Sequence, residues 1–142
     1  MKNLFVLLFV FSLLFTACDD IFDPNDCENC RRVACTEEFK MIAISLVHKD
    51  GDAFEVDDYK ITYTETGNEV DLNSSNNDEL IAPNTYVIAT DAMMDALDCE
   101  GTSITFAYNL KDGTNGKESF LVGKDCCHIQ WKDTKETVIT IE

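Results

Sequence analysis

The sequence predicts an all-β domain: a single antiparallel β-sandwich of seven or eight short strands with one short helix, preceded by an N-terminal signal and a tether. Three observations carry this. Apolar and polar residues alternate with a period of two in several short stretches, the pattern of a strand with one buried face. Turn signals recur about every eight to twelve residues, the spacing of a sandwich. No repeat of 20 to 50 residues and no parallel βαβ pattern interrupts them.

The elements follow in order. Phe39 to His48 places Ile42, Ile44 and Leu46 on one face and Met41, Ala43 and Val47 on the other. Lys49-Asp50-Gly51-Asp52 is a turn, because Asp-Gly suits positions of positive φ. Tyr59 to Thr66 alternates with Tyr59, Ile61 and Tyr63 inward, and Thr66-Gly67-Asn68 turns again before a short strand over Glu69 to Leu72. Asn73 to Glu79 is a polar loop. Thr85 to Thr90 is a strand, and Asp91 is placed to cap a short helix through Leu97, where Ala92, Met93, Met94 and Ala96 propagate helix well. Cys99-Glu100-Gly101 ends it. Ser103 to Leu110 is the best-alternating segment, with Ile104, Phe106, Tyr108 and Leu110 on one face. Lys111-Asp112-Gly113-Thr114 turns into Glu118 to Val122. Cys127 to Trp131 and Glu136 to Ile141 read as a final hairpin around Lys132-Asp133-Thr134.

The N-terminus has its own grammar. Met1-Lys2 gives a short positive start, Leu4 to Phe15 an apolar run, and Leu14-Phe15-Thr16-Ala17-Cys18 a small-residue cleavage site ending in a thiol. The run is shorter than the roughly 20 residues a membrane span needs. It reads as a lipoprotein signal: residues 1–17 are removed and Cys18 is acylated and becomes the new N-terminus. An ordinary secretory signal cut after Ala17 is the plainer alternative. Residues 18–34 read as a lipidated cysteine and acidic tether, with its last part pinned to the domain by Cys27 or Cys30, and residues 35–142 as the sandwich. Asp19 and Asp20 directly follow Cys18, with Asp23, Asp26 and Glu28 close behind, and this polar stretch resembles the surface-export signal of Bacteroidota lipoproteins. The expected location is therefore the cell envelope, anchored to the outer membrane and open to surface export; by enterobacterial sorting, an acid next to the cysteine would instead retain the chain at the inner membrane.

Charge excludes some partners. The chain carries 27 acids against 11 Lys and Arg, for a formal net charge of −16. Nucleic acid needs clustered Lys and Arg, and anionic lipid wants a polybasic patch. The expected contact with membrane is the lipid on Cys18 alone, and any further partner is a protein or a glycan. The simplest role of the acidity is a mutually repelling, soluble surface.

The seven cysteines agree with export. Setting Cys18 aside leaves Cys27, Cys30, Cys35, Cys99, Cys126 and Cys127, an even number suited to three disulfides in an oxidising compartment. If Cys126 and Cys127 lie in a strand they point to opposite faces and take different partners. One pairing joins Cys35 and Cys99 to that pair and closes Cys27 with Cys30. An alternative function uses Cys27, Cys30, Cys126, Cys127 and His128 as metal ligands or redox thiols. An adjacent Cys pair diverges in a strand, which suits a single ion poorly, and Cys27-x-x-Cys30 lacks the helix N-terminus that activates a redox thiol.

Other constellations are plainer still. His48 reads as a solvated turn residue and His128 as a hydrogen-bonded strand residue. No G-x-S-x-G elbow, phosphate loop or EF-hand frame is present, although Asp91, Asp95, Asp98 and Glu100 cluster in sequence. No enzyme activity and no cofactor are expected. Tyr59, Tyr63, Tyr86, Phe106, Tyr108 and Trp131 fall mostly on core faces. Exposure of Tyr63, Tyr86 and Trp131 together would make a stacking platform for sugar rings or a protein partner.

Two resemblances are usable. Ile44-Ser45-Leu46-Val47-His48-Lys49-Asp50-Gly51, then Tyr59-Lys60-Ile61-Thr62 and Thr66-Gly67, resemble the opening of a transthyretin-like (prealbumin-like) domain, a fold related in layout to the Ig-like sandwich. Cys35-Thr36-Glu37-Glu38-Phe39 and Asp125-Cys126-Cys127-His128 resemble small Bacteroidota lipoproteins of uncharacterised role. The likeness spans roughly 35–142. It implies a β-sandwich, membrane attachment and no established activity.

Overall fold

A computed structural model describes Cys27, Cys30 and residues 33–72 and 82–142. The predicted signal, Cys18, most of the tether and the predicted polar loop at 73–79 lie outside the described residues. Within them the chain forms β1 (Met41–His48), β2 (Val56–Tyr63), β3 (Thr85–Thr90), a 3₁₀ helix (Asp91–Ala96), β4 (Thr102–Leu110), β5 (Asn115–Lys124), β6 (Ile129–Trp131) and β7 (Val138–Ile141). They assemble as two sheets, β3-β1-β7 and β2-β4-β5-β6. The all-β sandwich read from the sequence is the fold observed.

Alternation explains which residues meet between the sheets. β1 contributes Ile44 and Leu46, β2 Ile61, and β4 Ile104, Phe106, Tyr108 and Leu110. Phe120 and Val122 come from β5, Ile139 and Ile141 from β7, and all are at most 8 % exposed. β4 is central, paired antiparallel with β2 on one side and β5 on the other. Phe106 is fully buried and aligns with Ile61 and Glu118 across those ladders.

The two turns read as Asp-Gly and Thr-Gly fold as expected, with Gly51 and Gly67 at positive φ, a conformation that carries no Cβ penalty in glycine. The expected strand over Glu69 to Leu72 reduces to an isolated bridge between Thr62 and Glu69.

Several expectations need correction. β6 and β7 are not a hairpin. β6 pairs with β5 in the four-stranded sheet, whereas β7 crosses over and pairs parallel with β1, Ser45 opposite Val138 through His48 opposite Ile141. The segment between them is pinned instead of reversed: Leu121 N donates to Asp133 Oδ2, Lys135 N to Asp133 Oδ1 and Trp131 Nε1 to Lys135 O. The helix at 91–96 is 3₁₀, with Thr90 and not Asp91 at its N-cap and no side-chain capping bond; the Asp91 carboxylate is engaged elsewhere. Tyr59 has the inward parity expected of it but remains 47 % exposed, since β2 and β3 are the sheet edges on that side and the seam between them stays open.

Candidate functional site

Both ends of the sandwich are defined by strand direction. One pole gathers the start of β1, the end of β3, the start of β4 and the end of β5. All three disulfides lie there: Cys27–Cys99, Cys30–Cys126 and Cys35–Cys127, with Cα separations of 5.7, 5.1 and 5.3 Å. This corrects the expected pairing. Cys27 and Cys30 do not close on each other, and Cys99 does not join the adjacent pair. Cys126 and Cys127 do take different partners, and Cys35–Cys127 is one of the bridges the sequence allowed.

The divergence of the adjacent pair comes from a turn and not from a strand. Residues 126–128 form a bend ahead of β6. Asp125 Oδ1 accepts from both Cys127 N and His128 N at 2.7 Å, and Asp125 N donates to His128 O at 2.9 Å. Its other oxygen accepts from Gln130 Nε2 at 2.6 Å. An aspartate that captures backbone amides two and three residues ahead is an Asx-type turn. It aims Cys126 at Cys30, Cys127 at Cys35 and the His128 ring into the protein.

His128 is buried and lies between two groups. Its Nδ1 is 2.8 Å from Asp91 Oδ2 and its Nε2 3.2 Å from Thr36 Oγ1. Asp91 also accepts from Lys40 N at 2.7 Å and Ile129 N at 2.9 Å, while Asp91 N donates to Lys40 O at 3.1 Å. Hydroxyl, imidazole and carboxylate thus stand in the order used by hydrolytic triads. Here, however, the carboxylate also ties down backbone. Asp91 joins the segment entering β1 to the start of β6, and Thr36 sits one residue from bridged Cys35. The cluster fastens residues 35–40 to the sandwich by polar contacts where the bridges fasten them covalently.

Electrostatics match that role. Burial alone would raise the Asp91 carboxyl, but hydrogen bonds from the Lys40 and Ile129 amides and from His128, with the charge of His128, hold it below its ordinary 3.8. Asp125 behaves alike: burial opposes, and the amides of Cys127 and His128, the Gln130 amide and the His128 charge prevail. A carboxyl with a depressed folded pKa contributes stability that is present above the unfolded value and lost as pH falls through the folded one. Acid unfolding of the wild-type domain should therefore steepen below about pH 3.8. Asp125→Asn keeps the oxygen that makes the turn but cannot titrate. It is expected to cost about 1–2 kcal/mol at neutral pH, because the amide group that replaces Oδ2 cannot accept from Gln130 Nε2, and to flatten the stability curve below about pH 3.8 in urea melts followed by circular dichroism.

The four cysteines of the alternative metal or redox set are distributed over all three bridges, and its His128 is held between Asp91 and Thr36. Disulfide sulfur supplies neither the thiolate ligand nor the nucleophilic thiol that such chemistry needs. The acidic run is likewise divided, because Asp91 is spent on amides and His128. His48, expected in solvent, is half-buried and its Nδ1 accepts from Asp50 N at 3.3 Å.

The aromatic residues separate into two groups. Tyr59 and Tyr86 meet edge-to-face at 4.7 Å, both against Phe106 at 5.8 and 5.2 Å, lining the open seam between β2 and β3. Burial, and then Tyr59, raise the Tyr86 hydroxyl above its ordinary pKa of 10.0. Trp131 packs on Phe120 at 5.3 Å on β6, the far edge of the same sheet from Tyr63 on β2. The platform that joint exposure of Tyr63, Tyr86 and Trp131 would have made is therefore not assembled.

Two clefts lie away from the disulfide pole. One opens at the opposite pole between His48, Phe54, Glu55, Lys111 and Glu142. The other lies on the four-stranded sheet around Lys60, Ala107, Asn109, Asn115 and Lys117. Sequence reading missed Asp91, Asp125 and Thr36 as members of the polar cluster. Only Asp125 left a signal, an Asx-turn residue directly ahead of Cys-Cys-His. Compared with protein-family models, curated proteins and solved structures, the chain finds no match.

Proposed function

We propose that this chain is a lipid-anchored lipoprotein of the cell envelope, held at the outer membrane through Cys18, and that it serves as a non-enzymatic binding or accessory module. The observation that carries the reading is the partition of the cysteines. All six downstream of the cleavage motif pair among themselves, which fits an oxidising compartment and leaves Cys18 as the one thiol for acylation. The acidic stretch after Cys18 and the resemblance to small Bacteroidota lipoproteins support the same location. The non-enzymatic part is supported by the saturation of the polar cluster: Asp91, Asp125 and His128 each bind backbone or a neighbour that fixes the N-terminal segment.

Metabolic labelling with an alkyne palmitate analogue tests the anchor. Label is expected in the wild type and should vanish in Cys18→Ala, while intact mass with and without reduction reports three bridges. Label that persists in Cys18→Ala would overturn the anchor. Free thiols retaining a metal ion would replace the binding-module reading with metal chemistry.

A further inference from the structure

The outward face of the four-stranded sheet is a grid that the strand registers define. Asp58, Asn109 and Asn115 form one row, Lys60, Ala107 and Lys117 the next, and Thr62, Thr105 and Ser119 the third. Their chain neighbours Ile61, Phe106 and Phe120 face the core. The small side chain of Ala107 between two lysines leaves a dish of about 390 Å³ that also takes in Tyr59, Tyr108 and Gly116. That volume is at the lower end of small-ligand sites.

We propose that this dish binds a sugar carrying a single carboxylate. Lys60 and Lys117 stand two strands apart, roughly 10 Å at the backbone, and their long stems can converge over Ala107. An ammonium–carboxylate contact there is a charge-assisted hydrogen bond. The side-chain amides of Asn109 and Asn115 make no hydrogen bond within the described residues, and each offers donors and an acceptor to ring hydroxyls. Thr105 and Ser119 bond to each other at 2.8 Å and Thr64 to Thr105 at 2.8 Å, yet their oxygens retain lone pairs for a sugar hydroxyl. The acids near the dish are Asp58 in the amide row and Glu69, 3.9 Å from Lys60 in a loose exposed pair. Charge decides the ligand class. In a chain of net charge −16, two lysines can hold one carboxylate, whereas a polyanion would meet repulsion from the surrounding surface.

This inference goes beyond the anchor and needs only the fold, so an unlipidated chain would bind equally. The test is an ¹⁵N–¹H NMR titration of the purified full-length mature chain with sodium glucuronate, glucose and acetate at low salt. Glucuronate is expected to give saturable shifts at Lys60, Ala107, Asn109, Asn115 and Lys117. Affinity should fall at least fivefold in Lys117→Gln and in Lys60→Gln, and again on raising salt; both lysines are outward, and the same spectra report that the fold is intact. Absence of saturable shifts on this face, or unchanged affinity in both variants, would overturn the site. Equal binding of acetate or glucose would overturn the ligand class while leaving a binding module in place.

Discussion

Full reduction without denaturant is expected to unfold the domain. The bridges span 72, 96 and 92 residues, and in the chain-entropy account the first loop of that size is worth about 4–5 kcal/mol. The others add less, because they share loops. Once Cys30–Cys126 is closed, Cys35–Cys127 shuts only the five steps from Cys30 to Cys35 and the one from Cys126 to Cys127, worth about 2 kcal/mol. Cys27–Cys99 shuts the three steps from Cys27 to Cys30 and the 27 from Cys99 to Cys126, worth about 3–4 kcal/mol. Together they approach about 10 kcal/mol, comparable with the whole stability of an ordinary domain. The paired replacement Cys27→Ala/Cys99→Ala should therefore destabilise more than Cys35→Ala/Cys127→Ala, although the latter bridge joins residues farther apart in sequence. Guanidinium melts of both double variants measure the difference; equal losses would mean that native-state strain and not loop closure sets the cost.

Phe106→Ala should be the most damaging single core change. The ring is fully buried at the centre of β4 and touches Tyr59, Tyr86 and Tyr108. Its loss leaves a cavity that the flanking ladders to β2 and β5 prevent from collapsing, at about 3–5 kcal/mol. The aromatic contacts add a part that depends on partners. Tyr59→Ala, at a half-exposed site, should cost clearly less, and the double variant less than the sum of the two. Chemical denaturation of the three variants reads this directly. A loss below about 1.5 kcal/mol for Phe106→Ala would mean that the seam repacks around the gap.

Much of the sandwich was legible because β4 is central. Strands on both sides and a core on one face force strict alternation on Ser103 to Leu110, and period two is what sequence displays most plainly. Tyr59 shows the limit of that signal: parity gives the direction of a side chain, but exposure depends on whether a neighbour strand or an edge lies beside it. The same holds for Val138 to Ile141. Its alternation identified a strand, while the choice of β1 over β6 as its neighbour rests on the path of residues 132–137 between the sheets, which composition does not encode. The cysteine pairing failed for a related reason. Cys27 and Cys30 are close in sequence, yet the turn made by Asp125 presents Cys126 and Cys127 to different segments. Asp91 was read as a helix cap because aspartate before an alanine-rich run usually is one; the partners that took its carboxylate, Lys40 and Ile129, are far from it in sequence.

The bridge between Cys27 and Cys99 sets the length of a leash. Nine steps of chain lead from Cys18 to Cys27, at most about 32 Å however it runs. The ten residues of β5 extend about 34 Å on their own. With lipid on Cys18, the domain hangs from a cord no longer than its own body, attached at the pole of Cys99, Cys126 and Cys127. Only a fully drawn cord would let the opposite pole, with His48, Lys111 and Glu142, touch the bilayer. With Cys18 acylated, the bridges would act as a swivel as well as a staple, keeping one end of the sandwich toward the lipid and turning the other outward.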